Sequence, residues 1–229
     1  MDAEKILEYG DRCINANYIH VEHDGDYAIQ RDGNTLYLLF QWTHGGADWE
    51  NNFDFPAKPY KDMGTKWYCH RGFLRVWKCI KPYIADAVMD DSVEKVIVVG
   101  YSHGAAIATL AHEYVWFNRP DIRENLEGYG FGCPKCYWGF KINKSVKERW
   151  ENFHPIRNEN DIVTHVPPSL FGFVHVNEVI HVHGGYEHVF DASTKKGAFI
   201  NFLLKICGVG AHYWDRYARG IELLTQQND

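Results

Sequence analysis

Apolar and polar positions change period several times along the chain, and each change predicts an element. Residues 1–17 set apolar side chains at helical spacing among Asp2, Glu4, Lys5, Glu8, Asp11 and Arg12, which predicts an amphipathic helix. Residues 26–30 and 35–40 are strand-like, and Arg31-Asp32-Gly33-Asn34 between them has the composition of a hairpin turn. A polar stretch rich in Gly, Asn and Asp runs from 44 to about 60. Residues 73–89 then put Phe73, Trp77, Ile80 and Ile84 on one helical face, with Pro82 expected to kink the helix or split it at Lys81.

The uninterrupted run Val96-Ile97-Val98-Val99 predicts a buried strand. The helix after it carries Ile107, Leu110, Ala111, Tyr114 and Val115 on one face and stops near Asn118-Arg119-Pro120. Residues 126–132 read as a strand, 144–150 as a short helix, and 152–157 as a strand leading into Asn158-Glu159-Asn160-Asp161. Residues 174–183 alternate well enough for a strand or hairpin. Ala198, Phe199, Phe202, Leu203 and Ile206 share a helical face before the turn at Gly208-Val209-Gly210-Ala211-His212. Strands alternating with helices predict an α/β fold: a mostly parallel central sheet flanked by helices, with an antiparallel N-terminal hairpin. No repeat or linker interrupts the chain, so residues 1–229 are expected to form one domain.

Composition narrows the function classes. The 229 residues are 45% hydrophobic and 15% aromatic, enough for one sizeable core. A net charge of −6 without a basic cluster argues against nucleic-acid binding, and gives no reason to expect attraction to anionic lipid. No apolar run reaches the roughly 18 residues of a membrane span. The charged N-terminus lacks the apolar core of a signal peptide, so a cytoplasmic chain is expected, with secretion after removal of a signal left open. Six irregularly spaced cysteines suggest reduced thiols rather than a disulfide framework.

The chemistry centres on Gly100-Tyr101-Ser102-His103-Gly104, where a strand meets a helix. Gly-x-Ser-x-Gly in that context is a nucleophile elbow: the two glycines let strand and helix pass closely while the strained serine is lifted above the strand end. The backbone N–H of His103 points the same way as the hydroxyl. A serine nucleophile needs a base, and the base needs an anion to hold its tautomer. With chain order Ser, Asp, His, the best acid is Asp161, in a loop stiffened by Pro167-Pro168; Asp191 is a weaker competitor. Asp86, Asp90, Asp91 and Asp121 read as solvated surface charges. The eligible bases are His165, His175, His181, His183, His188 and His212, of which His212 has the most suitable loop position. His181 and His183 alternate on a strand but bring no third ligand, so no metal site is expected.

Several motifs in order resemble the class 3 lipase family of filamentous-fungal triacylglycerol lipases, over roughly residues 26 to 224. Phe40-Gln41-Trp42-Thr43 sits at the family's Phe-Arg-Gly-Ser/Thr, and Asp48-Trp49 and Asp54 match its lid segment. His70-Arg71-Gly72-Phe73-Leu74 resembles His-x-Gly-Phe-Leu, and Phe131-Gly132-Cys133-Pro134-Lys135 resembles the Gly-x-Pro-Arg stretch. The segment from Asn160 through Pro168, with Phe171-Gly172-Phe173-Val174-His175, is similar to the surroundings of the family's triad aspartate. His212 to Tyr217 is similar to the closing His motif. The resemblance implies an α/β-hydrolase fold with Ser102 as nucleophile, Asp161 as orienting acid and His212 as base. It further implies an oxyanion hole from Thr43 and the His103 N–H, and a lid bearing Trp49, Phe53 and Phe55.

Three departures stand out. Gln41-Trp42 replaces the Arg-Gly pair, Gly45-Gly46 weakens any lid helix, and Cys133-Pro134-Lys135-Cys136 forms a Cys-x-x-Cys read as a plain turn. The expected activity is serine carboxylester hydrolysis of lipid esters, with no metal or cofactor and transient contact with a lipid–water interface. The rival readings are a soluble short-chain or feruloyl-type esterase on the same scaffold and a non-catalytic lipid-binding module.

Overall fold

The N-terminal hairpin forms the antiparallel end of a larger sheet. The computed structural model describes residues 2–22, 25–41, 56–187, 194–195 and 205–226. Helix α1 (Ala3–Ile14) precedes strands β1 (Ile19–Val21), β2 (Gly25–Asp32) and β3 (Thr35–Gln41). Strands β4 (Ala57–Tyr60) and β5 (Trp67–His70) lead into α2 (Arg71–Val88), β6 (Lys95–Tyr101) and α3 (His103–Asn118). Then come β7 (Leu126–Phe131), β8 (Tyr137–Trp138), α4 (Lys144–Lys147), β9 (Phe153–Asn158), β10 (Phe173–Val174) and β11 (Ile180–Val182). Helix α5 (Trp214–Thr225) closes the described chain.

Seven strands hydrogen-bond in the order β1-β2-β3-β6-β7-β9-β11. The pairs β1–β2 and β2–β3 are antiparallel, whereas β3–β6, β6–β7, β7–β9 and β9–β11 are parallel. The apolar run of β6 is continuous because both of its faces are covered. Val96 and Val98 pack with Leu36, Leu38 and Phe40 against α2 and α3. Ile97 and Val99 pack with Tyr37 and Leu39 toward α1 and α5.

Four expectations change. Helix α2 runs through Pro82 as one element. Pro82 lies on the exposed face beside Lys78, so the carbonyl left without a partner faces solvent, while Trp77, Ile80, Ile84 and Val88 hold one buried face across the break. Helix α3 is not one-sided: every residue from His103 to Val115 is buried, because the helix lies between the sheet and α2. Residues 174–183 divide between two sheets, β10 belonging to a second, four-stranded antiparallel sheet, β10-β8-β5-β4. These strands are two to four residues long, too short for alternation to register. The short helix expected at 144–150 holds α-geometry only to Lys147 and finishes as a 3₁₀ turn, Glu148–Trp150. The helical face at Ala198 to Leu203 lies outside the described residues.

Candidate active site

Strand β6 ends at a turn that only a strained residue can make. Ser102 has φ 57° and ψ −128°, and its N–H donates to the Phe131 carbonyl at 2.8 Å, pinning the turn to β7. A Cβ on Gly100 would sit 2.6 Å from Ala105 Cα. One on Gly104 would sit 2.7 Å from the Gln41 nitrogen and closer still to the Phe40 carbonyl. Both glycines are therefore needed for α3 to start directly over β3 and β6. Ser102 itself is only 6% exposed.

The acid and the base reach Ser102 from two later loops. His212 Nε2 lies 2.8 Å from Ser102 Oγ, and its Nδ1 lies 2.6 Å from Asp161 Oδ2. Asp161 is fully buried and caps the 3₁₀ turn Ile162–His165, its Oδ1 accepting the Val163 N–H at 2.9 Å. The buried Tyr217 on α5 donates its hydroxyl to Asp161 Oδ2 at 2.5 Å. Burial, then the Asp161 charge, raises the Tyr217 phenol well above its usual range, so it stays a donor.

Asn158 ties the two loops together. Its Nδ2 donates to the carbonyls of Gly185 and Ala211 at 2.9 and 3.0 Å, and its Oδ1 accepts the Gly184 N–H at 2.8 Å. The residue before His212 is thus fixed to the strand that delivers Asp161. Tyr101 stacks on the His212 ring at 5.2 Å and donates to the His212 carbonyl at 2.6 Å. Gly132, at φ +59°, leaves room for the imidazole: a Cβ there would lie 2.8 Å from His212 Nδ1. His103 heads α3 with its ring against Phe73 at 5.2 Å. Burial, helped by His70, lowers its imidazole to about 4, so the His103 side chain is neutral near neutral pH.

The structure thus brings Ser102, His212 and Asp161 together. Of the other histidines, His175 bonds the Thr164 carbonyl through Nε2 at 2.9 Å, and His181 and His183 are exposed. Among the described residues no three His, Cys, Asp or Glu side chains gather as a metal site. Thr43, Trp49, Phe53 and Phe55 lie outside the described residues, as do His188 and Asp191. Cys133 and Cys136 are buried thiols in the turn after β7, and none of the six cysteines forms a disulfide. Burial pushes the Cys133 thiol up, away from redox reactivity. The roles of Tyr217, Tyr101 and Asn158 escaped sequence reasoning; only the closing motif around His212 touched Tyr217.

A model of the class 3 lipases matches residues 37–171, from β3 through the Asp161 loop. The chain belongs to the class 3 lipase family. A lipase of Rhizomucor miehei is 28% identical over 154 residues, which are 63% of this chain and 40% of that protein. A lipase of Rhizopus niveus is 30% identical over 156 residues, 65% of this chain and 39% of its relative. The chain spans about two fifths of the length of these relatives. The solved structure of the Rhizomucor miehei triacylglyceride lipase has a TM-score of 0.64 at 21% identity, covering 80% of this chain and 82% of that one. Lipase II of Rhizopus niveus gives 0.60 at 26% identity, with 69% and 62% covered. The fold is that of the α/β-hydrolases. His212 lies beyond the segment that the family model matches, so its place rests on the loop geometry above.

Proposed function

We propose that this class 3 lipase-family chain is a serine hydrolase of lipid carboxylesters, folded as one α/β-hydrolase domain over residues 1–229. The observation that carries the reading is the relay from Ser102 Oγ through His212 to the buried Asp161, at 2.8 and 2.6 Å. Ser102 Oγ attacks the ester carbonyl carbon as His212 Nε2 takes its proton. Asp161 holds the Nδ1 proton and stabilises the imidazolium, helped by the Tyr217 hydroxyl on the same oxygen. The oxyanion is held by the His103 N–H, with Thr43 as the second donor. Collapse of the tetrahedral intermediate passes the His212 proton to the leaving alcohol and leaves an acyl group on Ser102. Water activated by His212 then releases the acid. These steps need no metal or cofactor.

Among the relatives, proteins of Rhizomucor and Rhizopus are named lipases, and one of Fusarium solani is named a secreted mono- and diacylglycerol lipase. These names support acylglycerols as the substrate class. The cytoplasmic placement expected from the N-terminus finds no support among them, and a secreted role fits. Among the described residues no helix is long and apolar enough to cross a membrane. The segment 44–55 is proposed as the lid, with Trp49, Phe53 and Phe55 meeting acyl chains. Gly45-Gly46 should make its closure weak, so clear activity on dissolved short-chain esters is expected, rising only modestly on emulsified long-chain esters. Rates on the two ester forms test this. Activity confined to dissolved esters, unchanged by Trp49→Ala, would favour the soluble-esterase reading.

A further inference from the structure

The small sheet carries an exposed apolar corner that the relay does not use. Gly139 and Phe140 both donate their N–H to the Gly172 carbonyl at 2.9 Å, and Trp138 Nε1 donates to the Phe171 carbonyl at 2.8 Å. These bonds clamp the turns at 139–140 and 169–172 into one tip. Phe140 is 68% exposed, Leu170 84% and Phe171 57%. Trp138 joins this tip to Tyr68, ring to ring at 5.5 Å. An open groove of about 500 Å³ runs beside it, floored by Tyr68, Trp138 and Phe173 and reaching Pro56. Phe140 also holds φ +59°, a conformation that Asn or Gly adopts far more easily than an aromatic residue. The ring meets Trp138 at 6.5 Å between centroids, yet most of it stays in solvent, so that contact does not account for its exposure.

Two lysines flank the corner. Lys66 Nζ lies 5.1 Å over the Tyr68 ring, and Lys141 follows Phe140 directly. Segments 56–71 and 133–147, which build most of the sheet, carry eight Lys and Arg against one acid, Asp62; one of the eight, Lys135, is buried against the His165 carbonyl and Ser169. Asp62 is already paired with Lys81 at 2.8 Å. Segment 162–177, which supplies the rest of the tip, has no Asp, Glu, Lys or Arg. A basic, apolar corner thus stands on a chain whose net charge is −6. Whole-chain charge hides it, because its two basic segments lie some sixty residues apart and are brought together by the β5–β8 pairing.

We propose that this corner, Tyr68, Trp138, Phe140, Leu170 and Phe171 with Lys66 and Lys141, docks the protein on a bilayer surface bearing anionic headgroups. The rings and Leu170 enter the headgroup–acyl boundary. The lysine stems lie along them and carry their ammonium groups to the phosphates. The proposal deepens the lipid-ester reading by assigning the docking surface and the headgroup class, and it is tested without turnover.

Vesicle flotation of the Ser102→Ala protein is the test. Binding to phosphatidylcholine vesicles containing about one-third phosphatidylglycerol should exceed binding to pure phosphatidylcholine at least roughly tenfold, and should fall as salt rises. In that background Lys66→Glu with Lys141→Glu should abolish the preference. Phe140→Asn should weaken binding roughly tenfold while leaving the unfolding midpoint the same or higher, since Asn suits that backbone. Equal binding to both vesicle types, or Phe140→Asn binding like its parent, overturns the proposal. With Ser102 present, Phe140→Asn should hydrolyse a dissolved short-chain ester at the parent rate; a tenfold loss there also overturns it, since the tip would then act on the site. A parent protein that binds anionic vesicles but cleaves no dissolved ester would sink the hydrolase reading and leave the docking surface standing.

Discussion

Asp161→Asn should lower kcat on a dissolved ester about 10⁴-fold with little change in KM. Asp161 is fully buried and fills both carboxylate oxygens: Oδ1 takes the Val163 N–H, and Oδ2 takes His212 Nδ1 and the Tyr217 hydroxyl. An amide nitrogen at the Oδ2 position meets two donors, so the His212 ring is driven to the tautomer with its proton on Nε2. It then cannot take a proton from Ser102. An amide oxygen there keeps the tautomer but loses the charge that stabilises the imidazolium. Tyr217→Phe removes only one of the two donors to that oxygen, so its loss should be much smaller, on the order of tenfold. The pair of variants is checked by steady-state kinetics beside circular dichroism. Asp161→Asn within tenfold of the parent, in a folded protein, would move the orienting acid elsewhere.

The second large effect is structural. Gly104→Ala should destabilise the protein by about 3–5 kcal/mol and remove most ester turnover. Its Cβ would meet the backbone of β3 at Phe40 and Gln41, where nothing can rotate away. Helix α3 would have to lift from the sheet, tilting the Ser102 turn and breaking its bond to Phe131. The same clash reaches the end of β3, after which Thr43 follows. Gly33 is the control: its φ is +56°, and a Cβ there meets nothing within 4 Å. Gly33→Asn should therefore change stability by no more than about 0.5 kcal/mol. Urea unfolding of both variants decides it, and a Gly104→Ala protein as stable as its parent would mean that helix and strand are not in that contact.

The legible parts of the molecule were those with strong local periodicity or a tight steric demand. The β-branched run 96–99, the hairpin at Gly33 and the elbow glycines each dictate their conformation over a few residues. Asp161 and His212 were legible through chain order and loop position, although they come from the ends of different elements. Chain order still left six histidines eligible; the Asn158 bonds to Gly184, Gly185 and Ala211, with the Tyr101 bond to the His212 carbonyl, explain why His212 is the one delivered to Ser102. Tyr101 and Tyr217 lie inside the elbow and the closing motif, but each supports a triad residue far along the chain, Tyr101 His212 and Tyr217 Asp161, which no spacing rule reveals. The four-stranded sheet was illegible for a related reason: strands of two to four residues are stabilised by partners far along the chain, not by their own pattern. Pro82 misled because tertiary packing overrides its local cost: Trp77 and Ile80 before it and Ile84 and Val88 after it bury one continuous face of α2.

The most direct test of the relay is covalent labelling of the folded protein by a fluorophosphonate, read by intact mass and peptide mapping. The account predicts one adduct per chain, on Ser102, absent from Ser102→Ala and strongly slowed in His212→Ala. No adduct on the folded parent, or an adduct that persists in Ser102→Ala, would contradict it.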